Sequence, residues 1–162
     1  QRLAEGKSVM PAFLYAVLLW QQVQRASVAA QLSGMPEMQA LHLAATDALR
    51  DQVDFTAVPR RYSNITREIW ALQSRFRYRD LRRANLLVSN PRFRAAYDFL
   101  CLRAQAGEPV KDDCEWWTAF QQANSEERTE LCRSNPHKKG NLHRKKRRKK
   151  NNAKTNTSLS VD

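Results

Sequence analysis

The sequence predicts an all-α fold, an irregular bundle of about six to seven helices followed by a disordered basic tail. Three observations lead there. The chain has only 4 Gly and 6 Pro in 162 residues, too few turn-formers for a β fold of many short strands. Alternation of apolar and polar residues is absent, and helical spacing dominates. Finally, Pro11, Pro36 and Pro91 stand where helices would begin, and Gly34 and Gly107 where helices would end. At 18.8 kDa the chain is long enough for one domain with a substantial core.

The elements follow in order. A first helix is predicted over 10–33 and carries the apolar run AFLYAVLLW (12–20). With Arg2 and Lys7 before it, the run has some look of a signal peptide, but QQVQR follows directly and no Met begins it. It is also well short of the roughly 20 apolar residues that span a bilayer, so it reads as a buried helix with no membrane role. The sequons at Asn64 and Asn156 matter only under secretion. Further helices are predicted over 36–54, 63–77, 79–89, 91–106 and 110–123, and a short one over 125–133. Ser125 before Glu126 and Glu127 makes a capped start, because both acids favour the positive end of the helix dipole. From His137 apolar residues nearly vanish, and such a segment cannot offset the entropy of ordering. We divide the chain into a helical body segment (1–57), an arginine-rich helical region packed on it (58–134) and a Lys/Arg-rich tail (135–162). The chain opens on Gln1 and reads as a fragment of a longer protein.

Charge is the most informative feature. The formal net charge is +12, unevenly placed: −1 over 1–59, +8 over 60–103, −4 over 104–136 and +9 over 137–162. Two basic blocks separated by an acidic one suggest a polyanionic partner held at two places. The first block has eleven arginines and no lysine, whereas the tail is mostly lysine. A guanidinium forks onto phosphate with paired hydrogen bonds and stacks on bases, while an ammonium is a hydrated point charge. A folded surface that holds RNA in fixed geometry therefore favours arginine with interleaved aromatics, and an arm that only concentrates polyanion works with lysine. On 63–77, Ile65, Ile69, Leu72 and Phe76 form the core stripe, with Arg67, Trp70, Ser74 and Arg77 roughly opposite. On 91–106, Phe93, Tyr97, Leu100 and Ala104 face the core, and Arg92, Phe99 and Arg103 share another face. The candidate RNA contacts are Arg60, Arg61, Arg67, Trp70, Arg75, Arg77, Arg79, Arg82, Arg83, Arg92 and Arg94, with Lys145, Lys146, Arg147 and Arg148 in the tail. A plainer reading stands beside this one: Arg94 and Asp98 fit an i,i+4 pair, and Arg75 or Arg103 can cover core with its stem. Trp116 and Trp117 with Phe120 read as anchors of their helix.

No catalytic or metal-binding arrangement is evident. Cys101, Cys114 and Cys132 form no CxxC pair and are odd in number, so neither a zinc site nor a disulfide framework is expected, and reducing cytoplasm is the simpler setting. His42, read as a half-buried helix residue, His137 and His143 fall at no ligand spacing. Asp51/Asp54 and Asp112/Asp113 fit an amphipathic helix and a helix start, and no phosphate loop precedes either.

VPRRYSNITREIWALQSR (58–75), NPRFRAAYDFLCLRAQ (90–105) and EWWTAFQ (115–121), together with PAFLYAVLLW (11–20), closely resemble the C-terminal half of the bacterial poly(A) polymerase I family. That family belongs to the class II nucleotidyltransferases, beside the CCA-adding enzymes. The resemblance implies the RNA-binding part of a polynucleotide adenylyltransferase. Its catalytic head, with a Gly-Ser loop, metal-binding aspartates, ATP and Mg, is not in this sequence, which carries no catalytic, metal or cofactor residue of its own. It implies a bacterial cytoplasmic location and a role in RNA decay, with RNA 3′-terminal regions as partner and a helicase or ribonuclease as a further one. Arg60, Arg61 and Arg67 match the family's basic entry segment; in the RFRAAYD segment Arg92 and Arg94 are implied to contact RNA, Phe93 and Tyr97 to pack. Arg75 to Arg83 match in character rather than detail, and the tail in composition alone. A CCA-adding relative and a non-enzymatic helical docking module remain as alternatives.

Overall fold

Proline and glycine set many of the helix boundaries, as their backbone restrictions require. The computed structural model describes residues 10–53 and 59–134, and among them eight helices and no strand. The helices are α1 (Pro11–Leu18), α2 (Trp20–Leu32), α3 (Glu37–Val53), α4 (Arg60–Gln73), α5 (Leu81–Val88), α6 (Phe93–Gln105), α7 (Lys111–Gln122) and α8 (Ser125–Arg133). Gly34 and Gly107 adopt φ of +92° and +86°, the left-handed region open to glycine. Each closes a helix with a paired stop. Met35 N–H reaches the Ala30 carbonyl at 3.1 Å and Gly34 N–H that of Gln31 at 2.9 Å; Glu108 and Gly107 repeat this on Arg103 and Ala104. The two turns fold α2 back on α3, and α6 back on α7.

Several boundaries differ from expectation. The predicted 10–33 helix breaks at Leu19, where a tightened turn directs the adjacent large side chains of Leu19 and Trp20 both inward. Within the apolar run, Ala12, Ala16, Leu19 and Trp20 are buried, but Leu18 is 76% exposed, so the helix is not enclosed. Among the described residues no helix is long and apolar enough to cross a membrane. The α4 helix starts at Arg60 because the Pro59 carbonyl accepts from Tyr62 and Ser63 N–H at 2.8 and 3.2 Å. It stops at Gln73, and residues 74–77 form a turn rather than the predicted last helical turn. Asn124, not Ser125, caps α8: its side chain accepts from Glu126 and Glu127 N–H, and Glu127 accepts back from Asn124 N–H. His42 is exposed rather than half-buried.

One hydrophobic cluster runs from Ala16 to Cys132 and draws on most of the helices. On one side α4 lies along α1. Thr66 Oγ1 donates to the Ala12 carbonyl at 2.9 Å, and Trp70 Nε1 to the Ala16 carbonyl at 3.0 Å. Donors and acceptors are both four residues apart and rise together, so the two helices run parallel. Ala12 and Ala16 have no side chain beyond a methyl, which permits the close approach. On the other side Phe76, Phe93, Trp117 and Phe120 pack edge-to-face and tilted at 5.3–6.0 Å. Trp117 Nε1 donates to the Phe76 carbonyl at 2.8 Å, which satisfies the indole inside the core.

The cysteine reading is corrected. Cys101 on α6 and Cys114 on α7 form a disulfide, with Tyr97 and Thr118 hydroxyls bonded at 2.6 Å one turn of antiparallel pairing away. A separation of 13 residues gave no signal in sequence, because the α6–α7 turn that brings the two together is tertiary information. Cys132 is buried in the core.

Candidate nucleic-acid interface

The arginine block separates into side chains that hold the fold and side chains that face out. Arg79 is turned inward: at 9% exposure it grips the Asp113 carboxylate through Nε at 3.2 Å and Nη2 at 2.7 Å, with its guanidinium 5.6 Å from the Trp116 ring. It is therefore not placed to contact RNA, contrary to the expected set. The cause is the turn after α4, which ends the helical phase and rotates position 79 toward α7. Trp70 is a second correction. Its ring is fully buried and its N–H is committed to Ala16, so no base can stack on it. Phe99, placed by helical phase beside Arg92 and Arg103, is likewise buried against Trp20.

Arg103, a possible core-covering residue in sequence, does more than cover. It donates to Glu108 through Nε and Nη2 at 3.0 and 2.8 Å, and to Gln73 Oε1 through Nη1 at 2.9 Å. Trp20 Nε1 and Gln24 Nε2 also donate to Glu108, at 2.9 and 3.1 Å. This half-buried carboxylate thus ties α2 to the end of α6, and its partners satisfy it.

The remaining arginines lie outside in three groups. Arg60, Arg61 and Arg67 occupy the first turns of α4. Arg61 bonds the Tyr62 hydroxyl at 3.0 Å, and Arg67 reaches Asn64 at 3.5 Å while its Nε is buried without a partner. Arg92 and Arg94 stand at the start of α6, paired with Glu68 at 2.8 Å and with Asp98 at 3.1 Å. The i,i+4 pairing of Arg94 is the one the spacing offered. Arg75, Arg77, Arg82 and Arg83 occupy the turn after α4 and the first turn of α5. Among the described residues neither Arg75 nor Arg82 has a carboxylate partner. Lys145, Lys146, Arg147 and Arg148 lie outside the described residues.

The third group has geometry of its own. Tyr78 is 40% exposed, with the Arg77 guanidinium 5.1 Å and the Arg83 guanidinium 4.9 Å from its ring. Arg77 also donates to the Tyr78 hydroxyl at 3.1 Å and pairs with Glu37 of α3. Burial pulls the Arg77 pKa down, but its bonds to Tyr78 and Glu37 and the Glu37 charge outweigh this and hold it above the ordinary value. Beside Tyr78 opens a groove of about 390 Å³ lined by Arg75, Tyr78, Arg83, Leu86, Leu87 and Asn90. Asp80 caps α5 by accepting from Arg83 N–H at 3.1 Å, which fixes where the Arg83 side chain starts. Sequence reading missed Tyr78, Leu86 and Asn90. The RYRD stretch, an aromatic between two arginines, was the available signal for Tyr78.

A family model described as Polymerase A arginine-rich C-terminus matches residues 33–153. The chain belongs to that family. It is 38% identical over 123 residues to Poly(A) polymerase I of Escherichia coli O157:H7 and of Salmonella typhi, covering 74% of this chain and 26% of each relative. It is 30% identical over 156 residues to Poly(A) polymerase I of Haemophilus influenzae, covering 92% of this chain and 34% of that relative. The chain therefore spans about a quarter to a third of the curated relatives it matches, and the resemblance is to their C-terminal region. In this arginine-rich C-terminus, arginine serves two ends: Arg79 and Arg103 bind the fold together, and Arg60, Arg61, Arg75 and Arg82 lie exposed.

Proposed function

We propose that this chain holds RNA for an enzyme that adds AMP to RNA 3′ ends and so promotes RNA decay in the bacterial cytoplasm. ATP and Mg would be bound by the parts of such an enzyme that this chain does not match. The observation that carries the reading is the cluster of outward arginines around Tyr78, in a family named for its arginines. Backbone contact by guanidinium groups would grip RNA without reading sequence. The tail, through Lys145, Lys146, Arg147 and Arg148, would add a sequence-independent electrostatic tether.

A second reading takes the helices as a docking module for a helicase or ribonuclease, with RNA bound by the tail alone. The exposed Leu18 and Leu32 favour it. Fluorescence anisotropy of residues 1–136 against 1–162 across a salt series separates the two. Retained binding by 1–136, with a smaller salt slope, supports the arginine surface. Complete loss with the tail sinks that assignment and supports docking.

A further inference from the structure

We infer that the groove beside Tyr78 is a subsite for one unpaired nucleotide of a single RNA strand; this rests on the RNA-holding reading above. Each wall has chemistry that a nucleotide uses. Leu86, 63% exposed on α5, and Leu87 beneath it give an apolar wall for the face of a base. A large apolar side chain left open on a polar helix has no evident structural duty, since α5 packs through Ala84 and Leu87. Tyr78 provides the aromatic edge of the same groove.

Arg75 and Arg83 stand at the groove with guanidinium groups for phosphate. Arg75 has no carboxylate partner among the described residues, and Arg83 has an exposed one, Asp80 at 3.4 Å, of a kind that contributes little. The stacked Tyr78 ring holds Arg83 in place, so less side-chain freedom is lost when it binds an anion.

Asn90 completes the set. Its Oδ1 accepts from Arg92 N–H at 2.8 Å, which fixes the amide orientation and leaves the NH₂ without a hydrogen bond among the described residues. The group offered at the groove is thus a donor. Every base carries acceptors along its edges, so a donor holds a base without selecting one. A volume of about 390 Å³ lies in the range of small-ligand sites and fits one nucleotide, not a duplex. A double helix hides its base faces in the stack, so the groove selects for single strands.

Three uncharged substitutions test this in the full chain: Tyr78→Ser, Leu86→Ser and Asn90→Ala. The probe is a fluorescein-labelled single-stranded oligoadenylate of twelve nucleotides, with a blunt RNA duplex of equal charge for comparison. Loss of the aromatic or apolar wall should weaken single-strand binding about fivefold or more, on the scale of one stacked base. For Leu86→Ser and Asn90→Ala duplex affinity and the salt slope should stay unchanged, because no cation is removed or loses its support; Tyr78→Ser also releases Arg77 and Arg83, so it is read on the single strand alone. Leu86 is exposed enough that its serine variant will fold, and circular dichroism melts verify the other two. If all three variants bind the single strand as the parent does, the nucleotide subsite is overturned while RNA holding stands, and the groove is left for a protein partner. If the parent binds neither probe, the RNA-holding reading falls and the subsite falls with it.

Discussion

Replacing Arg79 by alanine should damage the fold and spare RNA binding, although Arg79 sits in the middle of the most basic segment of the helical region. The substitution removes two charge-assisted hydrogen bonds, at 3.2 and 2.7 Å, and leaves Asp113 without its counter-charge. Breaking a buried pair from one side costs about 3–5 kcal/mol. Asp113 keeps 23% of its side-chain surface, so water recovers part of that cost, and the low end, about 3 kcal/mol, is expected. In a domain of this size that corresponds to a drop of roughly 10 °C in Tm. Urea unfolding followed by tryptophan fluorescence measures it well, because Trp116 and Trp117 lie beside the pair. RNA anisotropy at a temperature where both forms are folded gives the second axis. Replacing both partners, Arg79→Met with Asp113→Leu, should recover much of the loss, since the cost lies in the stranded charge. An Arg79→Ala protein with unchanged stability and tenfold weaker RNA binding would refute the assignment of this arginine to the fold.

Further outcomes follow from other contacts. Trp70→Phe, which loses the indole bond to Ala16 and leaves part of its volume empty, should lower stability by about 1–3 kcal/mol in the same urea assay and leave RNA affinity per folded molecule unaltered. Cys101→Ser, or reduction with dithiothreitol, should cost about 3 kcal/mol by releasing a loop of 13 residues, read by calorimetry; in a reducing cytoplasm the protein would work without that contribution. Asn124→Ala should cost about 1 kcal/mol through loss of the α8 cap, seen as earlier melting by circular dichroism. Arg82→Ala should leave the melt unchanged and lessen the salt slope of RNA binding by about one phosphate contact.

Legibility in the sequence followed the range of the interaction. Helix existence and the Gly34 and Gly107 stops were readable because they rest on residues within one or two turns. The Leu19 break was not, because it depends on what Leu19 and Trp20 meet across the core. The arginine block was legible as charge, but which arginines turn inward was not. Arg79 and Arg103 find Asp113 and Glu108 through turns whose direction no local pattern specifies. Trp70 failed for a related reason. Its helical phase set it opposite Ile69 and Leu72, but α4 is covered by α1 on that side, so both sides of the helix are buried there. The Tyr78 groove lies at the junction of a turn and a short helix, where periodicity carries no information.

The bonds from Thr66 and Trp70 to Ala12 and Ala16 act as a key with two unequal teeth. A slide of α4 along α1 would strand the buried Trp70 indole N–H, whereas Thr66 would keep its bond to the Tyr62 carbonyl of its own helix at 2.8 Å. The register of α4 on α1 is thus held chiefly by one buried indole bond. On the same helix Arg60 and Arg61 precede the Thr66 contact and Arg67 directly follows it. The position of these three cations is therefore set from α1, a helix that carries no charge of its own.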